Sequence, residues 1–142
     1  MTMRAYVLLL LAALVVACSQ SPQVVTVRLT VPGGEDVTVR AEVRDDDEGR
    51  AAGLMFREKL AEDEGMLFVW PESGRRTFWM KNTPLPLDML FIRNGRVVAV
   101  IAWAKPFDET NLDPGVDSDS VLEVNGGFAQ RHGIGVGSLV SW

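Results

Sequence analysis

The chain has 142 residues, enough for one domain, with 19 acidic residues against 14 basic ones and a net charge of −5. With no basic tract and no interleaving of basic and aromatic residues, this acidic balance excludes nucleic acid and anionic headgroups as electrostatic partners. A single cysteine excludes an internal disulfide, so the fold has to be held by its core.

The first segment carries an address. MTMRAY contributes one Arg, YVLLLLAALVVA (residues 6 to 17) is uninterrupted and apolar, and VVAC ends on the lone cysteine, Cys18. This layout predicts a lipoprotein signal peptide over 1–17, a lipidated Cys18 with a short tether through 23, and one β domain over 24–142. The apolar run falls short of the roughly 20 residues of a spanning helix. A plain secretory signal and an uncleaved anchor are the alternatives. Ser19 supplies no Asp-type inner-membrane retention signal. The expected location is therefore the cell envelope: the periplasmic side of the outer membrane where one exists, otherwise the extracytoplasmic face of the plasma membrane. Cleavage removes Arg4 and leaves 13 basic against 19 acidic residues, a net charge of −6. Acylation of Cys18 then leaves no thiol for catalysis or metal ligation.

QVVTVRLTV alternates as a strand with Val25, Val27 and Leu29 on one face, VPGGED turns, and DVTVRAEV repeats the pattern with Val37, Val39, Ala41 and Val43. An Asp at 46 or 47 can cap a short helix that Gly53 stops. The acidic run 45 to 48 lacks the spaced pattern of a calcium loop. A strand is predicted over Met66–Trp70, closed by a proline turn, and another over Arg76–Met80. DMLFIRNGRVVAVIAW is the clearest hairpin. Asn94-Gly95 suits a two-residue turn, which would pair Ile92 with Val97, Phe91 with Val98, Leu90 with Ala99 and Met89 with Val100. Residues 104–120, rich in Asp, Pro and Gly, form a long patternless stretch and a candidate functional loop. VLEVNGG reads as a strand, GFAQRHG as a helical turn ended by Gly133, and the tail as a last strand. Many short strands with one or two short helices predict a mainly β single domain, a sandwich or a partly open barrel.

Catalytic signals are sparse. His132, the only histidine, stands before a helix-ending Gly, where a cation suits the helix terminus. There is no G-x-S-x-G elbow, and with one His and no thiol a zinc site would need an unusual all-carboxylate set. Asp88, Asp108, Glu109, Asp113, Asp117 and Asp119 could supply a carboxylate pair for glycoside chemistry, but no pair stands out. In FWMKNTPLPLDMLFI (78–92), Asp88 lies among apolar neighbours. If it points inward it needs a partner, and Lys81 or the amides of the 81–83 turn are the expected ones. Trp70, Trp79, Trp103 and Phe78 fill a core or offer stacking faces.

GLMFRE (53–58), EDEGMLFVW (62–70), FWMKNTPLPLDMLFI (78–92) and VLEVNGGFAQRHGIGVGSLV (121–140) together resemble the DUF192 family in order and spacing, over nearly all of the chain after the signal. The resemblance implies a mainly β domain, often secreted or envelope-associated, and carries over no catalytic residue. Ala52 stands where the family often has Arg, Asn125 where it usually has Pro, and 104–120 matches least. The expected role is a lipid-anchored envelope accessory domain that binds a glycan, peptide or partner protein without turnover. No cofactor and no metal is expected. The candidate surface comprises Arg57, Trp79, Lys81, Asn82 and Asp88 with the loop after Trp103. An envelope hydrolase using paired carboxylates and a purely structural or assembly lipoprotein are the alternatives.

Overall fold

A computed structural model describes residues 21–142. The expected signal segment and Cys18 lie outside the described residues. Alternating β-branched residues produce β1 (Val24–Thr30) and β2 (Val37–Arg44), joined as the expected hairpin. Asp46 then caps α1 (Asp47–Ala52), its carboxylate accepting the Gly49 N–H at 2.7 Å, and Gly53 ends the helix. The remaining elements are β3 (Glu64–Arg75), β4 (Leu87–Arg93), β5 (Arg96–Ala104), β6 (Asp117–Asn125), α2 (Phe128–His132) and β7 (Leu139–Ser141).

The seven strands close into a barrel in the order β1-β2-β3-β6-β4-β5-β7, with β7 returning to β1. Mainly β architecture with two short helices is thus as expected, and the closure is complete. Every contact in the ladder is antiparallel except β2 with β3, whose crossover carries α1. The barrel interior is filled from all the strands by Val27, Leu29, Val39, Leu67, Leu90, Ile92, Leu122 and Val140 among others, and Phe128 and Ala129 of α2 pack into it.

Three local expectations change. The β4–β5 hairpin turns at Asn94 (φ 51°) and Gly95 (φ 67°), and Ile92 faces Val97, but Phe91 then faces Ala99 and Leu90 faces Val100. A bulge at Val98 shifts the register by one residue. β3 does not stop at Pro71. It runs on to Arg75 across an irregularity between Val69 and Gly74, where a residue without an N–H is tolerated. Residues 76–80 form no strand, because β3 and β6 already have partners on both edges. That segment instead crosses the outside of the sheet and pairs through a single bridge, Phe78 with Leu112, to the connection between β5 and β6.

Asp88 is fully buried, and its partners differ from the expected ones. Neither Lys81 nor the 81–83 amides reach it. Oδ1 accepts the N–H of Trp103 (2.8 Å) and of Gly127 (3.0 Å), and Oδ2 accepts that of Ala129 (2.9 Å). The register between β4 and β5 slips opposite Asp88, so Trp103 (φ 55°) is freed from the ladder and turns its N–H to the carboxylate. The other two donors are orphan amides at the start of α2, whose own N-cap, Gly127, has no side chain. The Trp103 ring lies over this corner. A Cβ on Gly127, already at φ 84°, would stand 2.5 Å from Trp103 Cζ2, so only glycine fits.

Asp88→Ala leaves three buried donors unpaired and should lower stability by about 4 kcal/mol or more. Asp88→Asn, whose NH₂ would face an N–H, should lower it by about 2–4 kcal/mol. Urea unfolding of both variants measures this; a loss below about 1 kcal/mol for Asp88→Ala would contradict the assigned role.

Candidate functional site

The outer face of β3, β6 and β4 is covered rather than solvated. Met66, Phe68, Leu87, Met89, Phe91 and Val121 project outward and form a second apolar cluster with Leu54 and Met80. Two stretches lie over it: α1 with the GLM segment after it, and residues 77–83. Between cover and sheet is a cleft of ≈ 320 Å³ whose lining includes Arg50, Gly53–Met55, Phe68, Trp70, Thr77–Met80, Thr83, Leu87 and Glu123. Its volume falls within the range of small-molecule sites, about 300–1,000 Å³.

Glu123 is the unusual member. On β6 its cross-strand neighbours are Met66 on β3 and Met89 on β4, so it stands between two apolar side chains on the covered face. It is 4% exposed. No donor or cation among the described residues accounts for it. Burial alone pushes its carboxyl up to about 8, which leaves it mostly protonated at neutral pH. Asp88, one residue from Met89, faces the opposite side of the sheet, where its amides occupy it.

The walls are aromatic. Phe78 meets Phe68 edge-on at 5.2 Å between centroids, and Trp70 lies 6.4 Å from each of them. At the mouth Arg50 donates to the Val69 carbonyl (2.7 Å) and to Asp47 (2.8 Å), with its guanidinium 5.4 Å from the Trp70 ring. Arg76 lies 4.5 Å from the same ring.

The cover is held by backbone pairing. Phe56 and Phe107, both exposed and both at φ 62°, donate to the adjacent carbonyls of Asn82 (2.7 Å) and Thr83 (3.1 Å), while Met80 donates to Asp108 (2.7 Å). A left-handed φ is unfavourable for a bulky residue, so these bonds fix the 80–83 turn from both sides. The loop expected over 104–120 is shorter, since Ala104 ends β5 and 117–120 open β6, and residues 105–116 brace this turn, further tied by Arg75 to Asp113 at 2.8 Å.

Of the five surface candidates, Trp79 alone lines the cleft. Lys81 lies beside it, its Nζ 5.0 Å from the Trp79 ring and 4.0 Å from Glu109. Asn82 (φ 52°) serves through its backbone carbonyl. Arg57 is committed elsewhere, paired with both oxygens of Glu42 at 2.5 and 2.6 Å. That pair holds the Glu42 carboxyl below its ordinary value. Asp88 is sealed inside the barrel end. His132 is exposed and packs on Phe128. Asn125, at the place where the family usually has Pro, donates to the carbonyls of Leu60 and Ala61, and Ala52 lines the cleft.

Glu123 escaped the sequence reading. In VLEVN it occupies an alternate polar position, as a solvent-facing residue would, and nothing local reveals that this face is roofed.

A small closed β-barrel with a roofed outer face defines the class of domain, and comparison with known proteins places it. Residues 28–142 match the family model DUF192, described as uncharacterized ACR, COG1430, and the chain belongs to that family. It is similar to a crystal structure of a provisionally assigned transcription regulator from Sinorhizobium meliloti 1021. The identity there is 36% and the TM-score 0.83, covering 86% of this chain and 95% of that one. It is also similar to a protein of unknown function from Novosphingobium aromaticivorans DSM 12444, at 38% identity and TM-score 0.80, covering 87% of this chain and 94% of that one. No curated protein matches the chain.

Glu123 binds a proton in the folded state up to about pH 8 but in the unfolded chain only up to about pH 4.3. The folded state holds the extra proton between those values, so stability falls as pH rises across that window. Glu123→Gln should raise stability by only about 1 kcal/mol at pH 5 and by about 3–5 kcal/mol at pH 8.5. Urea unfolding at the two pH values checks this, and an equal effect at both would contradict it.

Proposed function

We propose that this chain is a lipid-anchored cell-envelope domain that binds a ligand in the cleft above Glu123 without chemical turnover. The supporting observation is Glu123 itself: a carboxyl 4% exposed, without a partner among the described residues, at an aromatic-lined cleft. A core position between two methionines gains nothing from an acid, since an unpaired buried polar group is costly. A ligand that supplies the missing partner gives the residue a purpose. Aromatic walls with a few polar groups are the usual composition of a binding pocket. A glycan ring, a peptide side chain or a segment of a partner protein would each be accommodated by stacking on Trp79 at the rim.

Glu123's raised proton affinity also suits a general acid, which favours the hydrolase as second reading. Glycoside cleavage needs a second carboxylate about 5–9 Å away. Asp47, the other carboxylate lining the cleft, is exposed and paired with Arg50. Binding therefore stands first.

The envelope location rests on the apolar segment ending at Cys18. The acidic charge speaks against nucleic acid as partner, whatever role the Sinorhizobium relative has.

An array of envelope glycans and peptides, probed with the full chain in detergent micelles, should yield a ligand whose binding drops at least tenfold in Trp79→Ala and in Glu123→Gln, with Lys59→Ala unaffected. Retained binding in both cleft variants would place the ligand elsewhere. Release of product from a bound glycan would favour the hydrolase. Mass spectrometry of the mature N-terminus should show a diacylglyceryl Cys18 whose formation is followed by globomycin-sensitive cleavage; an unmodified Cys18 would remove the anchor from the proposal.

A further inference from the structure

We infer that the cleft takes an alkylammonium group, with Glu123 as its counter-ion and the rings of Phe68, Trp70, Phe78 and Trp79 around it. This rests on the binding reading above and specifies the chemistry of the ligand.

The first reason is what the cleft lacks. A carboxylate is an acceptor on both oxygens, and among the described residues no donor reaches Glu123, so the complementary ligand brings N–H or O–H groups. The second is the sign of everything around it. Aromatic faces carry negative potential and attract cations, and an ionised carboxylate does the same. Ring faces and carboxylate therefore favour one ligand charge together. An anion would meet both as repulsion.

The charged groups facing this space are few. β3 contributes Met66 and Phe68, β4 contributes Leu87 and Met89, and the 77–83 segment contributes Thr77 and Thr83 but no charge. From α1 come Asp47 and Arg50, which bond to each other at 2.8 Å. Arg50 is further held by the Val69 carbonyl, and no hydrogen bond joins it to Glu123. Arg76, outside the lining, donates to the Glu72 carbonyl and keeps its charge over Trp70, which leaves Phe68, Phe78 and Trp79 as the rings not already facing a guanidinium.

The protein also displays the proposed arrangement once with its own side chains. Beside the cleft, the Lys81 ammonium lies 5.0 Å from the Trp79 ring with Glu109 4.0 Å from the same nitrogen. An ammonium over Trp79 with a glutamate as counter-ion is the geometry inferred for the ligand on the cleft side.

Binding is then coupled to a proton. The carboxyl loses H⁺ to solvent as the ammonium arrives, giving a carboxylate–ammonium pair and one released proton. An alkylammonium itself stays charged to about pH 10. Affinity should accordingly rise nearly tenfold per pH unit between 6 and 7 and level off above about 8, where Glu123 is already ionised.

The test uses the full chain in detergent micelles with ¹³C-methyl methionine, because Met55 and Met80 line the cleft and report on it. The probes are two amine–amide pairs from the two sources. Nα-acetyl-lysine methylamide against its Nε-acetyl form carries the pH profile. Glucosamine against N-acetylglucosamine is compared at pH 6.5 only, because the sugar amine deprotonates at about 7.7–8.0, in the α-amino range. At least one free amine should shift the Met55 and Met80 methyl signals at tenfold or more lower concentration than its acetylated partner, with the pH dependence just given. The pair that responds identifies a peptide or a sugar source. Glu123→Gln should abolish both the preference and the pH dependence; should that variant not fold, the wild-type pH profile and amine–amide contrast decide alone. Equal binding of amine and amide, a pH-independent affinity, or no shift with either amine overturns the inference. If an acetylated probe moves the methyl signals and its amine does not, the ammonium is refuted while the cleft remains a binding site.

Discussion

Three backbone N–H groups converge on one carboxylate at the end of this barrel, and the rest of the architecture depends on that convergence. Asp88 is the second residue of β4, the strand packed between β5 and β6. Its oxygens take one amide from the bulge in β5 and two from the start of α2. A five-residue helix has no stability of its own, so α2 persists because a residue forty positions away caps it and because Phe128 and Ala129 fill the barrel. The same contact fixes Trp103, whose ring requires Gly126 and Gly127 beneath it. A single buried carboxyl group thus joins β4, β5 and the connection from β6 to α2.

The barrel has two faces to bury, and the second explains the cleft. Strands β3, β6 and β4 carry apolar residues outward as well as inward, and α1 and the 77–83 segment roof the outward set. A roof made of irregular chain needs its backbone groups satisfied. Phe56, Phe107 and Asp108 provide that by pairing with residues 80–83, at the cost of left-handed conformations at Phe56 and Phe107. The roof does not fill the space beneath it, and Glu123 occupies the resulting floor. Two buried acids one strand apart thus have opposite fates. Asp88 accepts from three backbone donors and is a structural lock. Glu123 has none, and burial keeps it protonated near neutral pH.

Much of this was legible locally. The β1–β2 hairpin, the Asp46 cap, the Asn94-Gly95 turn and the stop at Gly133 follow from alternation, capping chemistry and positive-φ preferences, each decided within a few residues. That Asp88 is a polar lock was legible too, from a charge among apolar neighbours. Its partners were not, since Gly127 and Ala129 are brought to it by pairing of β4 with β6. Residues 76–80 read as a strand because their aromatics suit one; the sheet had no free edge there.

By itself the sequence determined the mainly β class, the position of its turns and caps, and the family membership carried by four ordered blocks. Tertiary structure alone decided that β6 lies between β3 and β4, which places Glu123 between Met66 and Met89, and that the outer face of those strands is covered. Period-two alternation distinguishes the two sides of a strand but not which side meets solvent. A glutamate at an alternate position is therefore an ordinary surface residue in the sequence and a buried, unpaired acid in the fold.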